Sequence, residues 1–497
     1  MRLFSALASA LLVAGILAAC STEETLSPVP SGSSTSSSAA TSGTGGSGGG
    51  PALAGDPIPA DAQRPGDATK GYAALINEGY VSCGIPYTAY SKVFSPAPAN
   101  LRLPGRNAVN TPLPYSQTRF TTSSGVDVVS ANCLTCHAGF LQGKLVVGLG
   151  DTQGDFTNNN QGSLADTAQF LLTNPKEKAE LTLFAGRLKA IGPYTQTFTV
   201  GVNPADNLAA ILFAHRDPKT LAWSDAPLLD LPPKVVIPVD VPPWWRMAKK
   251  NAMFYVAGGR GDHARIEMTA STLCTDTVEE AKKIDAYFPD IEAFIASIKP
   301  PKYPFSVDTG LAAKGSDVFA ATCARCHGTY GDGGQYPNLL IALETIGTDP
   351  AMITGATQFA ATYVKWFNDS FYGQIAHLDP QHGYVAPPLD GVWATAPYLH
   401  NGSVPTIGAL LDSSKRPAYW SRKYDVSGNY DSSDYNEATL GWNVTAVDHG
   451  QKDEPVAEVK KHLYDTSLPG YSNVGHTFGD GLSSDERAAV IEYLKTL

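Results

Sequence analysis

The sequence predicts a mainly α-helical protein with much irregular loop, folded as two domains. Three observations carry this expectation. Two pentapeptides of one form, Cys-Leu-Thr-Cys-His at 133–137 and Cys-Ala-Arg-Cys-His at 323–327, sit in different halves of the 497-residue chain. Apolar residues at helical spacing precede the second pentapeptide and close both halves. The 47 glycines and 36 prolines interrupt the rest, so few strands are expected.

The elements follow in chain order. Met1-Arg2 and an apolar run from Leu3 to Ala19 read as an export signal, residues 1–19, too short and Ala-rich for a good membrane span. The ending Leu17-Ala18-Ala19-Cys20 resembles a bacterial lipobox. That resemblance implies that Cys20 becomes a lipidated first residue, and in a Gram-negative host it favours the outer membrane. An ordinary signal peptide that happens to contain a cysteine is the alternative. Residues 20–66 hold "SGSSTSSSAATSGTGGSGGG", which cannot bury apolar surface and reads as a lipid anchor with a flexible tether. Folding is expected to begin near Asp67, with one domain at 67–300 and another at 305–497.

In the first domain "VEEAKKIDAYFPDIEAFIASIKPPKYP" (278–304) reads as a closing helix, with Ile291, Phe294, Ile295 and Ile298 on one face. In the second, "DTGLAAKGSDVFAATCARCHG" places Leu311, Val318 and Phe319 on one face ahead of Cys323, with Gly315 allowing close packing. The chain ends in "LSSDERAAVIEYLKTL", where Ser483 or Ser484 can cap a helix that buries Val490, Ile491, Leu494 and Leu497. A helix leading into C-x-x-C-H, crossed by a closing helix, resembles the cytochrome c fold.

The formal charge is −11 and no basic run occurs, which argues against nucleic acid or an anionic lipid surface as partner. No P-loop, G-x-S-x-G elbow or H-E-x-x-H is present, so phosphoryl transfer, serine hydrolysis and zincin chemistry lack support.

Seven cysteines are present. Cys20 is assigned to lipid, and four belong to the pentapeptides. Cys83 and Cys274 remain, and in an oxidising compartment they are expected to pair; two buried thiols are the alternative. A zinc ribbon needs its two Cys pairs about 15–20 residues apart, far closer than these. A thioredoxin-type dithiol has no use for the following His. Covalent c-type haem needs what is present: two thiols for the two vinyl groups, then an imidazole for the iron. Cys133, Cys136, Cys323 and Cys326 are therefore the expected haem attachments, with two haem c groups in all. His137 and His327 are the expected proximal ligands.

The second axial position decides between carrier and catalyst, because a capped iron passes electrons and an open one can do chemistry. His263, His400 and His476 are the candidates weighed here, and no Met lies between 353 and 497. The string "TAPYLHNGSVPT", the two pentapeptides and "GHTFG" before the last helix resemble the di-haem cytochrome c peroxidase superfamily. That group includes the methylamine-dehydrogenase maturation enzymes and the rubber oxygenases, the branch that looks closest. The resemblance covers most of residues 130–497. It implies His476 as distal ligand of the second haem and His400 as a neighbour of that haem. It also implies calcium between the haems, with no ligands nameable, and an apolar first distal face. Residues 242–268 are the expected wall of the first haem, with His263 either its distal ligand or a loop histidine bonded to Asp262 or a propionate. Trp244 and Trp245 are candidates to line that pocket or bridge the haems, or plain core residues. Arg246, Lys249, Lys250, Arg260 and Arg265 can neutralise propionates, or form a solvated basic face.

The expected function is an exported, lipid-anchored di-haem redox enzyme, peroxidase- or oxygenase-like. One haem does chemistry and the other passes electrons with a periplasmic or outer-membrane partner. The alternative is an electron-transfer lipoprotein with both haems six-coordinate.

Overall fold

The structure is a computed structural model that describes residues 54–358 and 360–497. The export signal, Cys20 and the tether up to residue 53 lie outside the described residues.

The fold is not mainly α. It is 38% helical and 13% strand, and its described strands form six small sheets of two or three strands each. The strands are two to five residues long. Pieces that short show no clear alternation of apolar and polar residues, which is why periodicity missed them. The clearest case precedes the first pentapeptide. Gln117–Thr121 and Asp127–Ala131 pair antiparallel across a turn that includes Gly125 at φ +83°. Ile85–Pro86 adds the third strand. After the pentapeptide, Ala138–Leu141 and Lys144–Val147 form a second hairpin. The first pentapeptide is thus framed by strands, whereas the second is framed by helices.

Around the second pentapeptide, Asp308 caps the helix Thr309–Thr322 by accepting from the Leu311 N–H. The last helix, Ser484–Leu494, carries a reciprocal capping box between Ser483 and Glu486. The two helices cross at Gly315, where a Cβ would fall 1.9 Å from the Ala489 carbonyl oxygen. Phe319, Val490 and Leu494 are buried at this crossing.

The expected closing helix at 278–304 is two helices, Val278–Asp285 and Phe288–Ser297, with the break just ahead of Pro289. Phe288–Ser297 packs on Ala68–Asn77 and on the 3-10 turn Trp244–Lys249. Each half lends side chains to the core of the other. Trp366 and Phe367 enter the larger core, where Trp366 stacks on Phe213 at 4.3 Å. Leu141, Leu149 and Trp245 enter the second. A disulfide joins Cys83 to Cys274 inside the larger core, with Cα atoms 5.7 Å apart.

The expected tether ends earlier than residue 66. Asp56–Pro57 pairs with Leu339–Leu340, and Ile58 is buried. Arg64 forks between Asp262 and Asp285 at 2.8–3.1 Å. Asp61 accepts from Arg260 and from the Gly261 N–H. Composition marked this stretch as linker, but backbone pairing and a bidentate guanidinium fix it. Among the described residues, no helix is long and apolar enough to cross a membrane.

Gly315→Ala is expected to destabilise the protein by about 1–3 kcal/mol, because the new Cβ meets a backbone oxygen that cannot rotate away. Gly186→Ala, in the helix Pro175–Ile191 with nothing within 4 Å, should leave stability unchanged or raise it. Thermal unfolding of the two variants checks the contrast.

Candidate functional site

The second pentapeptide closes its helix on itself. Cys323 donates its N–H to the Phe319 carbonyl at 2.8 Å, and a short helix, Ala324–His327, carries Cys326 and His327. Gly328 ends it at φ +80°, where any Cβ would collide with the Gln335 carbonyl. His327 Nδ1 donates to the Pro387 carbonyl at 2.8 Å. That bond fixes the tautomer and leaves the Nε2 lone pair free, as metal-binding histidines require.

His476 faces it from the loop before the last helix, with ring centroids 6.1 Å apart. A metal held about 2 Å from each ring nitrogen fills such a gap, the two half-rings supplying the remaining distance. Burial lowers the pKa of both rings, to about 4 for His476, so both present lone pairs at neutral pH. His476 sits at φ +47°, an unfavourable backbone for a non-glycine residue. The Ile346 carbonyl takes its N–H at 2.7 Å. Arg416 pins the surrounding loop through the carbonyls of Asn473, Gly475 and His476 at 2.6–3.2 Å.

These groups line one cavity of about 190 Å³. Its wall is largely apolar, with Phe319, Ile341, Leu410 and Val490 among its residues. No group of three or more His, Cys, Asp or Glu able to hold a bare metal ion occurs among the described residues. Two opposed imidazoles beside two thiols fit an iron that brings its own four ring nitrogens.

His400 stands in the same wall. Its ring stacks on Tyr384 at 4.3 Å, and its Nε2 lies 3.2 Å from the Tyr384 hydroxyl. That hydroxyl donates to the Asp349 carbonyl at 2.7 Å, so His400 Nε2 is the donor of the pair. Burial pushes the His400 pKa down to about 3.

At the first pentapeptide, Asn132 accepts from the Leu134 N–H, and His137 donates its N–H to the Cys133 carbonyl at 3.0 Å. The His137 ring stacks on Trp244 at 4.8 Å and an interplanar angle of 17°. Burial lowers its pKa to about 4. The Pro242 carbonyl is near enough to oppose that shift, yet Nδ1 makes no full hydrogen bond. Cys136 Sγ accepts from Asn203 at 3.3 Å. Burial raises the thiols, to about 11 for Cys133 and Cys323 and about 12 for Cys136. Redox dithiols show the opposite shift, so these pairs are not poised for thiol exchange.

Trp245, next in sequence to Trp244, donates its indole N–H to the Asp390 carbonyl at 2.8 Å in the second core. His263 opens the short helix His263–Glu267 and is 3% exposed. It turns to Glu292, 3.8 Å from Nδ1, and its Nε2 is buried without a partner. Asp262, a bonding partner considered for it, instead caps that helix and binds Arg64. Sequence reading missed the residues around His263. Glu267 and Glu292 each keep one buried, unpartnered oxygen, as does the Tyr80 hydroxyl. Burial and then Glu292 raise the Glu267 pKa well above the carboxylate range, and Cys133 adds to that shift. These acids had no motif, and Glu292 lies within an apolar helix face. Elsewhere, Asp155 bonds Thr157 and Lys461, and Asp369 bonds Lys365.

Residues 383–421 match the family model described as RoxA-like, cytochrome c-like. This segment supplies Tyr384, Pro387, Leu389 and His400 to the wall of the cavity that holds His327. The chain is 31% identical over 296 residues to the uncharacterized protein y4iJ of Sinorhizobium fredii (strain NBRC 101917 / NGR234), covering 46% of each. It is 28% identical over 323 residues to the uncharacterized protein y4iM of the same strain, covering 57% of this chain and 69% of the relative. The chain thus spans about half the length of the first relative. The match supports a RoxA-like, haem-binding cytochrome whose cofactor is haem c.

A folded His400 pKa far below its unfolded value near 6.5 has a defined sign. On acidification the unfolded chain takes up the proton first. The stability that neutral His400 contributes is therefore complete above about pH 6.5 and lost progressively toward about pH 3. The stability advantage of the wild type over His400→Asn should shrink between pH 7.5 and pH 4.5, as read by thermal unfolding.

Proposed function

We propose that the protein is an exported di-haem c-type cytochrome acting as a redox enzyme. One haem is held by Cys133, Cys136 and His137, and the other by Cys323, Cys326, His327 and His476. The 6.1 Å opposition of His327 and His476 carries this reading. Bound iron would supply one-electron chemistry, and two strong axial ligands make the second site an electron-transfer site. His137 stacks on Trp244, and the next residue, Trp245, packs into the second core, so one turn links the two halves.

The first site is proposed for chemistry. Reducing peroxide to two waters takes two electrons and two protons, the electrons coming from a reduced periplasmic or outer-membrane partner. Glu267, held protonated beside Glu292, is placed to hold one such proton next to Cys133. This polar cluster favours peroxide over the substrate of an apolar oxygenase pocket. The Leu-Ala-Ala-Cys string supports a lipid anchor at Cys20. A second reading, a carrier with both irons capped, is favoured by one observation: the buried, unpartnered Nε2 of His263 near the first site.

Electron paramagnetic resonance of the ferric protein separates the two. The enzyme reading expects one low-spin and one high-spin signal, the latter shifted by cyanide. His476→Ala should turn the low-spin signal high-spin and leave the other unchanged. Two low-spin signals that ignore cyanide, with no carbon monoxide binding after reduction, would establish the carrier instead.

A further inference from the structure

Arg246 is a buried cation whose hydrogen-bond acceptors are all neutral. It is 9% exposed in the turn Trp244–Lys249. Its Nε donates to the Asp390 carbonyl at 3.3 Å and its Nη2 to the Thr395 hydroxyl at 3.2 Å. The nearby acids do not pair with it. Lys249 holds both carboxylate oxygens of Asp390, at 2.7 and 2.8 Å. Asp240, on the same cavity wall, is driven toward its neutral form by burial. A second cation lies close by: burial, then repulsion from Arg246, lowers the Lys250 pKa to about 8. A buried charge left without a partner is strongly unfavourable, so this corner calls for an anion.

The position of Arg246 narrows the choice. It lines the cavity shared by Cys323, Cys326, His327 and His476, and its charge reaches His327. A planar guanidinium is matched to a carboxylate. We propose that Arg246, supported by Lys250, is the carboxylate-binding site of the second cavity and pairs with a propionate of the haem held there. The proposal rests on the haem reading given above. Arg246 then keeps that propionate ionised, so the potential of the second haem varies little with pH near neutrality. Two other groups facing Arg246 titrate close to that range, Lys250 lowered to about 8 and Asp240 raised by burial, so the propionate is isolated by the difference between wild type and the Arg246 variants. Burial pushes the hydroxyls of Tyr255, Tyr330 and Tyr398 upward, away from that range.

The test is a redox titration of the full chain between pH 5.5 and 7.5, following the low-spin haem, with resonance Raman spectra of the propionate bending modes. Wild type, Arg246→Gln and Arg246→Lys are compared. Arg246→Gln removes a positive charge that disfavours ferric iron, so its potential should fall at the upper end of the range. Reduction should then bring proton uptake by the propionate, steepening the slope toward about 59 mV per pH unit, the one-electron equivalent of a tenfold change. The propionate modes should shift, and Arg246→Lys should lie between. Arg246→Gln with both haems bound and wild-type potential, slope and modes would overturn the proposal. If Arg246→Gln does not fold, wild-type behaviour in Arg246→Lys overturns it. A wild-type chain without haem at 323–327 would instead remove the haem reading, and this inference with it.

Discussion

The structure is organised around two imidazole rings 6.1 Å apart that come from opposite ends of a long stretch of chain, His327 and His476. Neither is placed by its own neighbours alone. His327 is aimed by the Pro387 carbonyl and carried by the short helix Ala324–His327, which directly follows the helix that crosses the last helix of the chain. His476 is held in a left-handed backbone by Ile346 and by the fork of Arg416. Holding an unfavourable backbone in place takes surrounding structure that over-determines it, which is what these bonds provide. The crossing at Gly315 matters for the same reason, because it fixes where the chain turns back toward His327.

The two pentapeptides are not independent sites. The Trp244–Lys249 turn touches both: Trp244 lies on His137, Trp245 bonds beside the second cavity, and Arg246 enters that cavity. Aromatic residues from the second half complete the first core, and the strap from Asp56 to Arg64 bonds to segments of both halves. Such interleaving couples the geometry of one site to the other, a useful property where electrons pass between them. It also surrounds the sites with buried groups of poised charge. His400, held neutral by burial, and Arg246, without a carboxylate partner, line the second cavity, and burial raises the pKa of Glu267 near Cys133.

Local chemistry was legible in the sequence, and long-range placement was not. The capping box at Ser483 and the close approach at Gly315 follow from spacing and residue type within a few positions. The choice of His476 came from a resemblance, and the ring geometry is consistent with it. The mainly α expectation failed because strands of two to five residues leave no periodic mark. The strap at 56–64 was misread because its order comes from partners some two hundred residues away, such as Asp262. Glu267 and Glu292 were invisible for the same reason: a carboxylate on a helix signals solvent unless its burial is known.

The central claim is that each pentapeptide carries a haem and that the two differ only in what faces them. It is tested most directly by peptide mapping of the protein purified from a host with c-type haem maturation. The account predicts two haems per chain, one on the peptide containing Cys133 and Cys136 and one on the peptide containing Cys323 and Cys326. A chain that leaves either pair as free thiols, or that holds zinc there, would contradict it.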